Sequence, residues 1–476
     1  MLTENYKAAE RVLYYFEEIS KIPHISGHTE RIADYLVDFA KRHSLLSIRD
    51  AKNNVIIKKA ATAGYESHPP LIIQGHTDMV AAQSEESKKD LFCEGLDLYV
   101  DGEFLRARGT TLGADDGVAV AYALAILEST DLPHPKIEAV FTSDEEIGLL
   151  GAIALDTSVL EGRTMLNIDV DDEGIFVAGC AGGVDVEIGF PVAERQTCDS
   201  AIEISISGLL GGHSGSMIDK GRTNAIKTLF EMLRKLNNTA PVRISSVTGG
   251  NAHNAIPASA SAIISTDGID TSCIKSITEP IHLEIASQES DAVIEVKETN
   301  GKFKTLTEAG SQSLINLITA LPNGVVAMSE DIPTLVETSL NLGIISTDER
   351  AVNISLSVRS SKEKEKSAVC DTLKEISEKY RASFELHGDY PGWEYRKNSR
   401  LRDRMCEVYK RMYGKDAEVI AIHAGLECGM FSDKIQGLDC ISAGPDNFDI
   451  HTADEHLSLP SLTRFWEFLK EVLKSL

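Results

Sequence analysis

A chain of 476 residues is too long for one ordinary hydrophobic core and calls for two or three domains. Its 42% hydrophobic and 25% charged residues are the proportions of a globular protein rather than a disordered chain. With 47 basic and 73 acidic residues the formal net charge is −26, which excludes nucleic acid and anionic membrane as main partners, because both bind a basic face.

The opening segment, MLTENYKAAERVLYYFEEISKI, carries charges throughout and has no apolar run of the secretory kind, so it reads as an amphipathic helix. Residues 71–74 (LIIQ) read as a buried strand that runs into Gly75-His76-Thr77-Asp78. Gly113-Ala114-Asp115-Asp116-Gly117 opens a helix over residues 117–128 (GVAVAYALAILE). Residues 137–142 (IEAVFT) form a second strand, running into Ser143-Asp144-Glu145-Glu146, and residues 165–168 (MLNI) a third, ending at Asp169. The acids that follow, Asp171, Asp172 and Glu173, read as a solvated turn.

From about residue 184 the pattern changes to alternating strands (AIEISISG, VRISSVTGG, ASAIIST, AVIEVKE, GVVAMS, LVETSLNLGII, AVNISLSVRS, SFELHG) separated by helical segments. Residues 438–442 (LDCIS) then lead through AGPDNFDI to His451. The expected architecture is an α/β catalytic domain, a mixed sheet flanked by helices, built from residues 1–183 and 395–476. An α+β domain of residues 184–394, possibly two subdomains, is inserted as a lid. No run approaches the ~18–20 apolar residues of a membrane span. The eight cysteines contain no C-x-x-C pair and read as reduced thiols, so the expected location is the cytoplasm.

Four of these strands stop at polar clusters, and α/β sheets bind ligands beyond the carboxyl ends of their strands. Alternation puts His76 and Asp78 on one side, a spacing that lets a carboxylate accept the second N–H of a metal-bound imidazole. Each motif also has an ordinary explanation. An H-x-D triplet is usual surface decoration, aspartates cap helices, three acids at residues 144–146 suit a solvated turn, and a late histidine such as His451 is unremarkable. Their coincidence is what carries weight. Histidines and carboxylates without clustered cysteines suit Zn²⁺, Mn²⁺ or Co²⁺. A pair of metals needs a bridging carboxylate with further ligands on each side, and His76, Asp115, Glu146, Asp169 and His451 supply one such set.

At these residues the sequence resembles the dinuclear zinc exopeptidases and deacylases, a family that includes carnosinases, tripeptidase T and aminoacylases, and within it the aminoacyl-histidine dipeptidase branch. The matching stretches are GHTDMV, GTTLGADDGVAVAYALAIL, FTSDEEIGLLGA, LNID, CAGG, GLLGGHSG with GRTNA, NAIPA, VRSS, HAGLECG and GPDNFDIHTADEHL, in the family's order over almost the whole chain. The resemblance implies two divalent ions, zinc first and Co²⁺ or Mn²⁺ as alternatives. Asp115 would bridge them, with His76 and Asp169 completing one site and Glu146 and His451 the other. Asp78 would orient His76, Glu145 would be the general base, and a cis peptide is implied after Asp115. His213 would donate to the oxyanion, and Asn254, Arg359 and Gly425 would bind substrate. His253 stands where relatives have a residue such as arginine, and Glu427 is a candidate for sensing the substrate's amino end.

The expected function is hydrolysis of dipeptides, Xaa-His peptides such as β-alanyl-histidine among them, by a homodimer. A tripeptidase or an N-acyl-amino-acid deacylase would use the same site. A catalytically inactive peptide-binding scaffold is the alternative of another class, and the presence of all five candidate ligands and Glu145 argues against it. A serine or cysteine hydrolase lacks support, since there is no G-x-S-x-G elbow and Cys180 reads as a buried thiol.

Overall fold

The apolar runs at residues 71–74 and 137–142 become neighbouring parallel strands, Leu71–His76 and Ile137–Thr142, buried at every residue. Burial on both faces is why they read as continuous hydrophobic runs rather than as alternating ones. The computed structural model describes residues 6–192, 195–266 and 270–476. They divide into two units. The first runs up to Cys180 and adds Trp393–Ala421 and Leu426–Leu476, while the second comprises Ala181–Gly392 and Ile422–Gly425. The sequence reading put the breaks at 183/184 and 394/395 and did not foresee the short return at 422–425. No Gly/Ser linker marks the first break because one strand, Ile175–Cys180, passes through Ala181 directly into another, Gly182–Pro191. At the two ends of the insertion, Cys180 and Trp393 donate their N–H groups to each other's carbonyls, both at 2.9 Å.

The first unit is built on an eight-stranded sheet. Its order is Leu46–Arg49, Val55–Lys59, Ile137–Thr142, Leu71–His76, Thr164–Asn167, Asp439–Ser442, Ile175–Cys180 and Glu418–Ile422. The central pairings are parallel, and the pairings of Leu46–Arg49, Val55–Lys59 and Ile175–Cys180 are antiparallel. Helix Ala114–Glu128 is apolar on every side and buried from Asp116 to Leu127, as expected of a helix enclosed by other elements. It lies close to strand Leu71–His76, and Gly75 is the residue that permits this. A Cβ there would sit 2.3 Å from Ala119 Cβ and 2.5 Å from Asp116 Oδ2.

The second unit carries nine strands in one antiparallel sheet among the described residues, with helices Ala225–Asn237, Thr271–Ala286, Glu308–Ala320 and Glu363–Lys379. One cluster of buried apolar side chains joins the sheet to these helices. Alternate burial along Gly182–Pro191 and Ala260–Thr266 fits a sheet covered on one face. No helix among the described residues is long and apolar enough to cross a membrane, and all eight cysteines are free.

Candidate metal centre

In the first unit's sheet His76 stands opposite Thr142, and Gln74 stands opposite Asn167. The carboxyl ends of three adjacent parallel strands are therefore level, and Asp78, Glu145, Glu146 and Asp169 emerge at one edge. Asp115 reaches the same edge from the loop before its helix. Gly113 takes φ +66° and the Asp115–Asp116 peptide is cis. The Glu455 carboxylate accepts the N–H groups of Leu112, Gly113, Ala114 and Asp115 at 2.7, 2.8, 2.9 and 3.2 Å. His451 comes from the loop between the short strands Asn447–Phe448 and His456–Ser458, which pair with each other.

These residues converge. Asp115 Oδ1 lies 3.0 Å from His76 Nε2, and Asp115 Oδ2 lies 3.0 Å from His451 Nε2. Glu146 Oε1 is 3.0 Å from the same His451 nitrogen. Two groups of possible ligands result, Asp115–Glu146–His451 and His76–Asp116–Asp169, each with its atoms within 4.8 Å of one another, and a third group, His76–Glu145–Glu146, overlaps them. Asp116 is an addition, since the resemblance implies a metal role only for its neighbour Asp115. Its Oδ2 also accepts the His76 N–H at 3.2 Å.

Asp78 does more than the H-x-D spacing suggests. The nearer acceptor for His76 Nδ1 is the Asp78 carbonyl at 3.0 Å, with the carboxylate at 3.6 Å. That carboxylate accepts the N–H of Glu145 at 3.0 Å, the N–H of Glu146 at 3.3 Å and the Ser26 hydroxyl at 2.8 Å. One side chain thus ties the histidine strand to the acidic turn.

The electrostatics show a site that calls for cations. Burial raises the carboxyl pKa of Asp116, Glu145 and Asp169 well above the usual range, and neighbouring carboxylates reinforce the shift. Asp115 goes the other way, because its two histidines outweigh its burial and hold it well below that range. Hydrogen bonds to Asp115 and Glu146 carry His451 up to about 10. Five carboxylates and two imidazoles at one strand edge are the hard-to-borderline donor set that a pair of divalent cations takes, and cations would relieve the mutual repulsion.

The other sequence-derived candidates lie in the second unit. Strand Gly212–His213 pairs with Ala255–Ile256, which sets His213 opposite Ala255, and the Asn254 carbonyl accepts the Ser214 N–H at 2.8 Å. His213 Nδ1 accepts the Gly215 N–H at 3.2 Å, so Nε2 carries the proton. Arg359 is buried. Its Nη1 donates to the Tyr390 hydroxyl at 3.2 Å, its Nε has no hydrogen-bond partner, and no carboxylate pairs with it among the described residues. Tyr390 also packs over Gly425, where a Cβ would meet its ring at 2.9 Å. His253 is exposed, 3.5 Å from Asp185.

Sequence reasoning missed several residues. Glu455 and Ser26 sit in polar stretches with no periodicity to mark them. Asp171 and Glu173 were read as solvated, yet burial pushes Asp171 up to about 7, and Glu173 is held by the Arg464 guanidinium at 2.9 and 3.0 Å. His423, unremarked in HAGLECG, is buried with Nε2 2.7 Å from Ser339 Oγ, and burial beside Arg359 lowers it to about 4.

Comparison with known proteins agrees with this geometry. Residues 72–475 match the family described as Peptidase family M20/M25/M40. The chain is 34% identical over 468 residues to the cytosol non-specific dipeptidase of Escherichia coli (strain K12), covering 97% of this chain and 96% of that protein. The crystal structure of aminoacylhistidine dipeptidase from Vibrio alginolyticus superposes with a TM-score of 0.93 at 33% identity, over 100% of this chain and 99% of that one. Aminopeptidase PepT from Bacillus cereus shares the fold, with a TM-score of 0.58 at 15% identity over 98% of each chain. A family match across most of the chain, together with a full-length relative above 30% identity, shows that the protein is a metallopeptidase of family M20/M25/M40.

Proposed function

We propose that the protein hydrolyses the peptide bond of dipeptides, Xaa-His dipeptides among them, at a centre of two divalent metal ions, with zinc the first choice. The observation that carries this reading is Asp115, whose two oxygens each lie 3.0 Å from a different histidine. That is the arrangement a carboxylate shared between two ions requires. His76 and Asp169 would hold one ion, Glu146 and His451 the other, and Asp115 both. Bound there, the ions supply Lewis acidity and make a water acidic enough to be a nucleophile near neutral pH.

The chain's own residues account for the remaining chemistry. Glu145 is held at the turn by the Asp78 carboxylate on its N–H. Burial raises its carboxyl pKa, so it can take a proton from water and pass it to the leaving amine. Asp78 fixes His76 and the turn together. By the family resemblance, His213, whose Nε2 carries the proton, would donate to the developing oxyanion. The Arg359 guanidinium, with Asn254 and the Gly425 backbone, would grip the C-terminal carboxylate, which restricts the enzyme to short peptides. The names of the Escherichia coli and Vibrio relatives support dipeptides as substrates, and the former name supports a cytoplasmic location. A homodimer belongs to the same reading and is tested by light scattering on the purified protein.

The deciding experiment is a substrate panel of β-Ala-His, Leu-His, Leu-Gly, a tripeptide and an N-acetyl amino acid. Each is assayed after chelation and again after return of Zn²⁺, Mn²⁺ or Co²⁺. Metal-restored turnover led by the dipeptides is the expected result. Turnover of the N-acetyl compound alone would make the protein a deacylase.

A further inference from the structure

Glu427 has no part in the scheme above, and the structure does not leave it open to a substrate amine. It opens helix Glu427–Lys434 with a side chain that is 0% exposed. Its Oε2 accepts Gln74 Nε2 at 2.5 Å and Thr142 Oγ1 at 2.6 Å, while Oε1 is buried without a hydrogen-bond partner. Gln74 Oε1 in turn accepts Asn167 Nδ2 at 2.7 Å, and Asn167 Oδ1 accepts the Ser442 hydroxyl.

These four partners stand on four adjacent parallel strands, with Gln74 opposite Asn167 and Asn167 opposite Ser442. They form a polar row across the sheet. Burying such a row is unfavourable unless its members are paired. Gln74 and Asn167 each come two residues before a candidate ligand, His76 and Asp169, so on an extended chain they share the ligand's face. Thr142 stands opposite His76, and its carbonyl accepts both the N–H and the hydroxyl of Thr77 at 2.8 Å.

We propose that Glu427 is a positioning residue for the metal centre. By clamping strand Leu71–His76 to strand Ile137–Thr142 at Gln74 and Thr142, it sets His76 against the Glu145–Glu146 turn. This rests on the two-metal reading but not on the identity of the substrate. Without the carboxylate, Gln74 Nε2 keeps Thr142 Oγ1 at 3.2 Å, and Thr142 Oγ1 keeps the Gly75 carbonyl at 3.4 Å. The strand ends that carry the ligands then lose their common anchor.

The test uses the full chain loaded with Co²⁺, whose visible absorption reports ligand geometry independently of turnover. Glu427→Ala is expected to weaken Co²⁺ binding by roughly 10–100-fold, the range for losing a partner that orients metal ligands. It should also change the visible band and lower kcat on a dipeptide, with KM little altered. Glu427→Gln retains an acceptor oxygen for Gln74 and Thr142 and should restore most of both. A Glu427→Ala protein with a lower Tm but the wild-type band and Co²⁺ affinity would overturn the proposal, because a merely structural residue gives that result. If Glu427→Ala does not fold, Thr142→Val removes one arm of the clamp and must move the band the same way, so an unmoved band overturns the proposal equally. Wild-type protein that cleaves no dipeptide while its Co²⁺ band still responds to Glu427 would refute the substrate reading alone.

Discussion

The two units gather titratable groups in opposite senses. At the strand edge of the first, Asp115, Asp116, Glu145, Glu146 and Asp169 surround His76 and His451, and burial of so many acids raises most of their pKa values. In the second, burial lowers His213 and His423 and the field of the buried Arg359 adds to it, and no carboxylate pairs with that arginine among the described residues. A buried cluster with an excess of one charge is unfavourable until the opposite charge arrives. The first cluster is therefore built to receive cations and the second to receive an anion.

Experiments can break that contrast. The largest effect belongs to Asp115. Asp115→Ala should cut the bound metal from two ions to one or fewer by elemental analysis and reduce activity by more than about a thousandfold, since on the proposed reading both ions would share its carboxylate. Two ions retained at full affinity would refute the bridging role. Next is Glu145→Gln, expected to lower kcat by about 10²–10⁴-fold with metal content unchanged; a variant that lost metal instead would make Glu145 a ligand. In the second unit, Arg359→Met should raise KM about 10–100-fold for dipeptides with a free C-terminus, the size of a lost charge-assisted hydrogen-bond pair. Dipeptide amides should be nearly indifferent to it, and equal loss on both would detach Arg359 from the carboxylate.

The smallest effect is a pH dependence of stability from His423. Its folded value of about 4 lies below the ordinary imidazole value of 6.5. Between those values the unfolded chain takes up a proton that the folded chain refuses. The stability His423 confers is thus whole above pH 6.5 and declines as the pH falls toward 4. His423→Gln should flatten that part of the Tm-versus-pH curve, a change of a few degrees at most. An unchanged slope would mean that other groups produce it.

Much of the first unit's site was legible because its residues follow apolar strands directly. The hydrophobic runs at 71–74 and 137–142 announce the strands, and a parallel sheet brings their carboxyl ends level whatever the sequence distance between them. His451 was less legible, a late histidine that gained weight only beside the other candidates, as its strands Asn447–Phe448 and His456–Ser458 are too short to leave a periodic signal. Glu455 was not legible at all. Its role is to accept four backbone N–H groups from a loop some 340 residues away, and backbone donors have no signature in a sequence. Glu427 was visible as a charged residue and misread, because nothing in HAGLECG shows that its carboxylate turns inward to Gln74 and Thr142. The return of residues 422–425 to the second unit was hidden for a similar reason, since membership is decided by neighbours rather than by chain order.

The reciprocal hydrogen bonds between Cys180 and Trp393 have a bearing on modularity. Apart from the short return at 422–425, the chain leaves and re-enters the first unit at one antiparallel bridge, so the long excursion between Cys180 and Trp393 spans almost no distance at its base. Closing so narrow a gap takes no more than a hairpin turn. A two-residue Asn-Gly splice from Cys180 to Trp393 is thus the natural place to excise the insertion. The shortened protein would keep every candidate metal ligand and give up Arg359, His213 and Asn254, which makes it a direct way to separate metal binding from peptide recognition.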